Sequence, residues 1–132
     1  MARRKSIEIK GVNHHGTIPI PLGAKVGRFV FSSAIAGVDP AIGKIPDEPE
    51  KQIELVFDHV HRFMEVAGGT SADIGRMTVY LQDEQYRDLV NQAWVSMFPD
   101  AANRPARHTV VKDLRAGALV QVEITAVLRE EA

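Results

Sequence analysis

The chain has 132 residues, no cysteine, and a formal net charge of -1 from 16 basic and 17 acidic residues. Without cysteine there are no disulfides, thiolate metal sites or cysteine nucleophile, and the balanced charge argues against a surface built on phosphate contacts, each of which needs a cation. Hydrophobic residues at 45% and charged residues at 25% are ordinary globular usage, and the length predicts one domain, residues 1–132, able to bury a core without a covalent staple.

Met1-Ala2-Arg3-Arg4-Lys5 is basic, but no apolar signal-type run follows it. No segment approaches the ~18 apolar residues of a membrane span. The expectation is a cytoplasmic protein with no membrane partner and a short solubilising tail at Arg3-Arg4-Lys5. Ser6 to Lys10 alternates, Ile7 and Ile9 against Glu8 and Lys10, and predicts a half-buried strand. Gly11 to Gly27, punctuated by Gly16, Pro19, Pro21 and Gly23, reads as loop with at most a short extended piece. Phe29 to Ile35 is a compact apolar run that predicts a strand buried on both faces. Asp39-Pro40 and Gly43 mark a turn.

Pro49 to Ala67 predicts the first helix. Ile53, Val56, Phe57, Val60, Phe63, Met64 and Ala67 recur at helical spacing, Asp47 is the expected N-cap, and Gly68-Gly69 is the stop. Arg76 to Gln82 alternates again, with Met77, Val79 and Leu81 on one side. Glu84 to Phe98 predicts the second helix, capped by Asp83, ended by Pro99, and buried through Tyr86, Leu89, Val90, Ala93, Trp94 and Met97. Arg107–Val111 and Leu119–Leu128 predict two last strands, joined as a hairpin through Asp113 to Gly117. The order β-β-α-β-α-β-β is satisfied by an α+β domain with both helices on one face of a mixed sheet of five or six strands. On the last strand Val120, Val122, Ile124, Ala126 and Leu128 face the helices, while Gln121, Glu123, Thr125 and Val127 face away with Thr78 and Tyr80. That second face is semi-polar. It reads either as a surface that meets another subunit or as a solvated face.

Two residues stand out chemically. Arg107 opens a strand directly after Pro105, and its planar guanidinium fork matches a carboxylate. The alternative is a surface salt bridge. Glu123 sits mid-strand, where a buried acid needs a partner. It reads either as a general base raised in pKa by burial or as half of an ion pair across an interface. The histidines fall as His14-His15 in the early loop, His59 and His61 on the first helix, and His108 beside Arg107 on the opposite side of its strand. His59 and His61 are two apart, point different ways, and are expected to be partly exposed. No HExxH motif or tetrahedral ligand spacing is present, so no metal and no cofactor are expected. Ser32-Ser33 lacks a nucleophile elbow, and its hydroxyls are expected to satisfy backbone or donate to a ligand.

From Lys25 onward the chain resembles the Rid family of enamine/imine deaminases, also described as endoribonuclease L-PSP-like. The segments are Lys25-Val-Gly27, Phe29-Val-Phe-Ser-Ser33, Asp39-Pro-x-x-Gly43, Ala67-Gly-Gly69, Thr78-Val-Tyr-Leu81, Asn91, Phe98, Arg104-Pro-Ala-Arg107 and Gly117-Ala-Leu-Val-x-Val-Glu123. The resemblance implies a chorismate-mutase-like fold, a homotrimer, and clefts between subunits. It carries a carboxylate-binding arginine onto Arg107, a water-orienting glutamate onto Glu123, and a ligand contact onto Ser33, with Asn91 also in the substrate site. It also shows departures. Ile20 stands where the family commonly has a pocket tyrosine, Thr109 where it often has a cysteine, and Ser33-Ala34-Ile35 where relatives read Ser-Gly-Gln. The implied activity is hydrolysis of small 2-imino or enamine carboxylic acids to 2-oxo acids and ammonia, without a cofactor. A non-catalytic ligand-binding homologue is the alternative. The endoribonuclease activity attached to some relatives is disfavoured by the near-zero charge and the lack of an aromatic-basic strip.

Overall fold

The computed structural model describes residues 3–12 and 18–130. The strands are β1 (Arg4–Ile7), β2 (Gly23–Val26), β3 (Phe29–Ser32), β4 (Ile35–Ala36), β5 (Ile74–Leu81), β6 (Ala106–Val111) and β7 (Val120–Val127). The helices are α1 (Pro49–Ala67) and α2 (Arg87–Met97). The fold is α+β, with both helices on one face of a mixed sheet, as expected. The sheet has seven strands in the order β1-β2-β3-β7-β5-β6, with β4 also pairing with β7.

The hairpin expected between Arg107–Val111 and Leu119–Leu128 does not form. β6 pairs in parallel with β5, and β7 runs antiparallel to β5 on one side and to β3 and β4 on the other. The physical reason is the helix between β5 and β6. A strand–helix–strand connection returns the chain parallel to where it began, across the same sheet face. β6 therefore becomes an edge, and the chain must cross the end of β5 to insert β7 at the centre. That crossing is braced by Lys112 N–H donating to Leu81 O at 2.9 Å and Gln82 N–H donating to Leu119 O at 2.9 Å.

The first strand also begins earlier than its alternation suggests. Arg4 and Lys5 are not a free tail, because they pair with Val26 and Lys25 in a ladder with β2. Phe29 to Ile35 is buried on one face only. Val30 is fully buried, whereas Phe29 and Phe31 remain 52% and 44% exposed, because the helices cover a single side of the sheet.

The stripe of α1 is buried throughout its predicted positions. Its N-cap is Glu48 rather than Asp47, with no side-chain cap, because Pro49 occupies the first helical position, where the missing N–H costs nothing. Gly68 ends the helix at φ 95°, with Gly69 N–H donating to Met64 O at 2.8 Å. Gly23 is required by close packing, since a Cβ there would lie 2.3 Å from the Phe63 ring. His59 is buried rather than partly exposed, and its Nε2–H donates to Val38 O at 2.6 Å. His61 is exposed, 3.8 Å from Glu65. Asp83 caps as expected, accepting from Gln85 N–H, but the chain makes a 3-10 turn at Glu84–Tyr86 before α2 begins. Gln52 is a buried bracket that the pattern did not reveal. Its Nε2 donates to Pro46 O and Gly117 O, and its Oε1 accepts from Leu119 N–H at 2.9 Å.

Candidate functional site

Register decides where each candidate side chain points. Arg107 is level with Met77 and Thr109 with Val79, both fully buried under the helices, so Arg107 and Thr109 project to the helix side at the sheet edge. There the Arg107 guanidinium lies 5.2 Å from the centre of the Trp94 ring, a stacked cation–π arrangement. Its Nε–H donates to Thr109 Oγ1 at 3.0 Å. Thr109 thus aims Arg107. No carboxylate among the described residues forms an ion pair with Arg107. Its pKa is held below the usual guanidinium value, first by burial and second by the positive charge of Arg87. Arg87, Asn91 and Trp94 share one stripe of α2, spaced by four and three residues. Asn91 therefore sits on the helix surface that flanks Arg107. Arg87 is partly engaged with Glu84, through a 3.0 Å bond from Nη2 to Oε2.

Glu123 lies on the other side of the sheet. It is level with Thr78, and Thr78 is level with His108, so His108, Thr78 and Glu123 form a row across three strands on the face the helices leave bare. Glu123 Oε1 accepts a 2.5 Å hydrogen bond from the Tyr80 hydroxyl, its diagonal neighbour on that face. This bond is the first cause of a raised Tyr80 pKa, followed by burial and by the carboxylate charge. Lys112 Nζ lies 5.7 Å from the centre of the Tyr80 ring. The sequence did not single out Tyr80 as a partner of Glu123. Both residues were visibly on one face, but their adjacency depends on which strands pair.

Ser33 and Ile20 form a third locality. They line a cavity of about 700 Å³ between the early loop, the β3–β4 bend and the β6–β7 loop. Ser33 Oγ donates to Pro21 O at 2.8 Å, and Ser33 N–H donates to Leu22 O at 2.7 Å. Ser32 Oγ accepts from Ile124 N–H at 2.8 Å, which patches the ladder where β3 breaks into β4. Both serine hydroxyls thus serve backbone. His14 and His15 lie outside the described residues. Among the described residues no group of three acidic or histidine side chains is arranged to hold a metal ion, and no helix is long and apolar enough to cross a membrane.

A family model described as Endoribonuclease L-PSP matches residues 21–128. The chain belongs to this family, the Rid family. A RutC family protein of Aquifex aeolicus is 33% identical over 115 residues, spanning 83% of this chain and 92% of that protein. The 2-iminobutanoate/2-iminopropanoate deaminase of Escherichia coli is 29% identical over 113 residues, spanning 84% and 88%. The crystal structure of E. coli TdcF with bound serine superposes with a TM-score of 0.84 at 27% identity, covering 95% of this chain and 99% of that one. Within this Rid-family chain the candidate residues do not meet. Arg107 is on the edge strand facing the helices, Glu123 is on the bare face, and Ser33 follows β3, with β7 and β5 between it and β6.

Proposed function

We propose that the protein is a cofactor-independent deaminase. It hydrolyses small 2-imino, or tautomeric enamine, carboxylic acids to 2-oxo acids and ammonia in clefts between the copies of a cytoplasmic homotrimer. The observation that carries this reading is Arg107. A half-buried guanidinium stacked on Trp94, beside a second arginine and with no carboxylate partner among the described residues, is a charge that lacks compensation. A substrate carboxylate would supply it in a bidentate geometry. The names of two relatives agree in chemistry, one a deaminase of 2-imino acids and one crystallised with serine.

The subunit arrangement follows from the separation of the candidates. One copy holds Arg107 and Glu123 on opposite sheet faces, so a cleft that uses both draws them from two copies. The bare face carries exposed Phe29, Phe31 and Val127, apolar area that a second copy would remove from water. In the cleft Arg107 anchors the carboxylate and holds the C=N carbon toward a water, and such positioning supplies several kcal/mol of the barrier. The water attacks that carbon while Glu123 takes its proton, a step worth ~10²–10⁴-fold. The imine nitrogen gains a proton, giving a carbinolamine. Glu123, having passed its proton to that nitrogen, takes the hydroxyl proton and delivers it to the amino group as the C–N bond breaks, so ammonia leaves and the 2-oxo acid remains.

The test generates 2-iminopropionate or 2-iminobutyrate in situ and follows its loss. Arg107→Ala should lower kcat/KM by about 10²-fold or more, the scale of a lost charged hydrogen-bonding anchor, and Glu123→Gln should lower kcat. Equal rates for Arg107→Ala and wild type would remove the anchor and the mechanism with it. A second reading, a ligand-binding protein without turnover, is favoured by one observation: Glu123 already accepts the Tyr80 hydroxyl. Wild type that adds nothing to the spontaneous rate would select it.

A further inference from the structure

Between α1 and α2 runs a groove of about 580 Å³. Its floor is apolar. Ile53 and Phe57 of α1 are buried beneath it, and Leu89, Ala93 and Met97 of α2 are only partly covered. By helical spacing these three α2 residues lie on the flank opposite Arg87, Asn91 and Trp94, so the groove is separate from the Arg107 site. The α1 wall carries Glu50, Glu54 and Asp58, all exposed. They recur every four residues, about 6 Å apart along the helix axis. None has an ion-pair partner among the described residues. Like charges at this spacing destabilise a helix. The helix dipole favours an anion at Glu50, in the first turn, but does not reach Glu54 or Asp58. Farther along, α1 balances its charges, with His61 and Arg62 at 3.8 and 3.9 Å from Glu65. Of the described residues that line the groove, His61 alone is basic, and the facing α2 wall adds neutral Gln92 and Ser96. The chain thus leaves an apolar trough with an anionic rim that it does not neutralise.

We propose that this groove docks a basic amphipathic helix of a partner protein. A helix laid along it buries its apolar stripe on the floor, as helix-in-groove partners do. Lysines or arginines on successive turns of that helix repeat at the same step of about 6 Å as the carboxylates, so each turn can meet one of them. Apolar floor and polar rim are the two marks of a protein-binding surface. The rim charge repels nucleic-acid phosphates and anionic lipid, which leaves a cationic polypeptide as the occupant. Glu50 to His61 spans about three helical turns, and the docked segment has a similar length. The proposal is independent of the deaminase reading, because it uses the other flank of α2.

The probe is a fluorescein-labelled helical peptide with leucines along one side and a lysine beside them on every turn, titrated with the full chain and read by anisotropy. Two control peptides have the same composition in scrambled order, or glutamate at each lysine. The patterned peptide should bind saturably at micromolar concentration, one per chain, and more weakly as salt is added. Glu54→Lys sets like charges against each other and should weaken binding about tenfold or more. Ala93→Lys, which puts a cation on the floor, should do the same. Glu130→Lys makes the same charge change at an exposed ion pair outside the groove lining and should leave the affinity within about twofold, the scale of a surface charge pair. Circular dichroism shows whether each variant keeps its fold. Scrambled or glutamate peptide binding as tightly as the patterned one would overturn the proposal, as would an equal loss in Glu130→Lys or the absence of saturable binding. A light-scattering mass that falls in Glu54→Lys without peptide would also overturn it, by assigning the groove to a second copy of this chain.

Discussion

The two faces of the sheet are made by the same strands and have opposite fates. On the helix side Val30, Met77, Val79, Leu81, Val120, Val122 and Ala126 are all fully buried. On the other side Phe29, Phe31 and Val127 are roughly half exposed, among Thr125, Glu123, Tyr80 and His108. The covered face is a close-packed core in which shape decides stability. The bare face mixes large apolar groups with a carboxylate–phenol pair and an exposed imidazole. A purely solvated face has no use for two phenylalanines, and a purely structural one has no use for a mid-strand glutamate. The contrast is the reason the proposed function assigns association and chemistry to the bare face.

Substitutions can sharpen or break that contrast. The largest effect on stability belongs to the covered face, at Phe63, whose ring fills the space above Gly23. Phe63→Ala should cost about 3–5 kcal/mol, read from the midpoint of denaturant unfolding. Gln52→Ala should cost about 1–3 kcal/mol by stranding the Leu119 N–H, and it should also loosen the 112–119 crossing, visible as faster amide exchange there. A cost as large at Phe31 as at Phe63 in dilute protein would erase the distinction between the faces within a single chain. Phe29→Ser with Phe31→Ser should instead change assembly. Light scattering should fall toward the 14.5 kDa of one chain, and an unchanged mass would show that subunits meet elsewhere.

The smallest effect is a pH dependence on the bare face. Tyr80 has its pKa raised above 10.0, chiefly by donating to Glu123. A group whose folded pKa is raised stabilises the fold fully below its unfolded pKa, and that contribution is lost as pH rises through the folded value. Ultraviolet titration should therefore show one tyrosine ionising later than a free phenol, and Glu123→Gln should bring it back toward 10.0. Tyr80→Phe should lower stability by about 1 kcal/mol or less, with the difference from wild type vanishing at high alkaline pH. A normal tyrosine titration in wild type would remove the pair.

How much of this was legible in the amino-acid order depends on how local each feature is. The helical stripes of α1 and α2, the Gly68 stop, the Asp39–Gly43 turn and the alternation of β7 all depend on neighbours a few residues apart, so the sequence alone determined them. Arg107 and Glu123 were marked by residue type and position, and the opposition of Arg107 and His108 by simple alternation. Pairing was not legible. β6 and β7 are consecutive and linked by a short segment, which locally reads as a hairpin, yet the crossover through α2 places β6 parallel to β5 at an edge and sends β7 between β5 and β3. That choice depends on burying both helices over one continuous sheet face, a property of the whole chain. Everything that followed from it was decided only by tertiary structure. It set Glu123 beside Tyr80, laid Arg107 on Trp94 beside Arg87, and kept Arg107 and Glu123 on opposite faces, because side-chain direction is a local property of a strand and side-chain company is a property of its register.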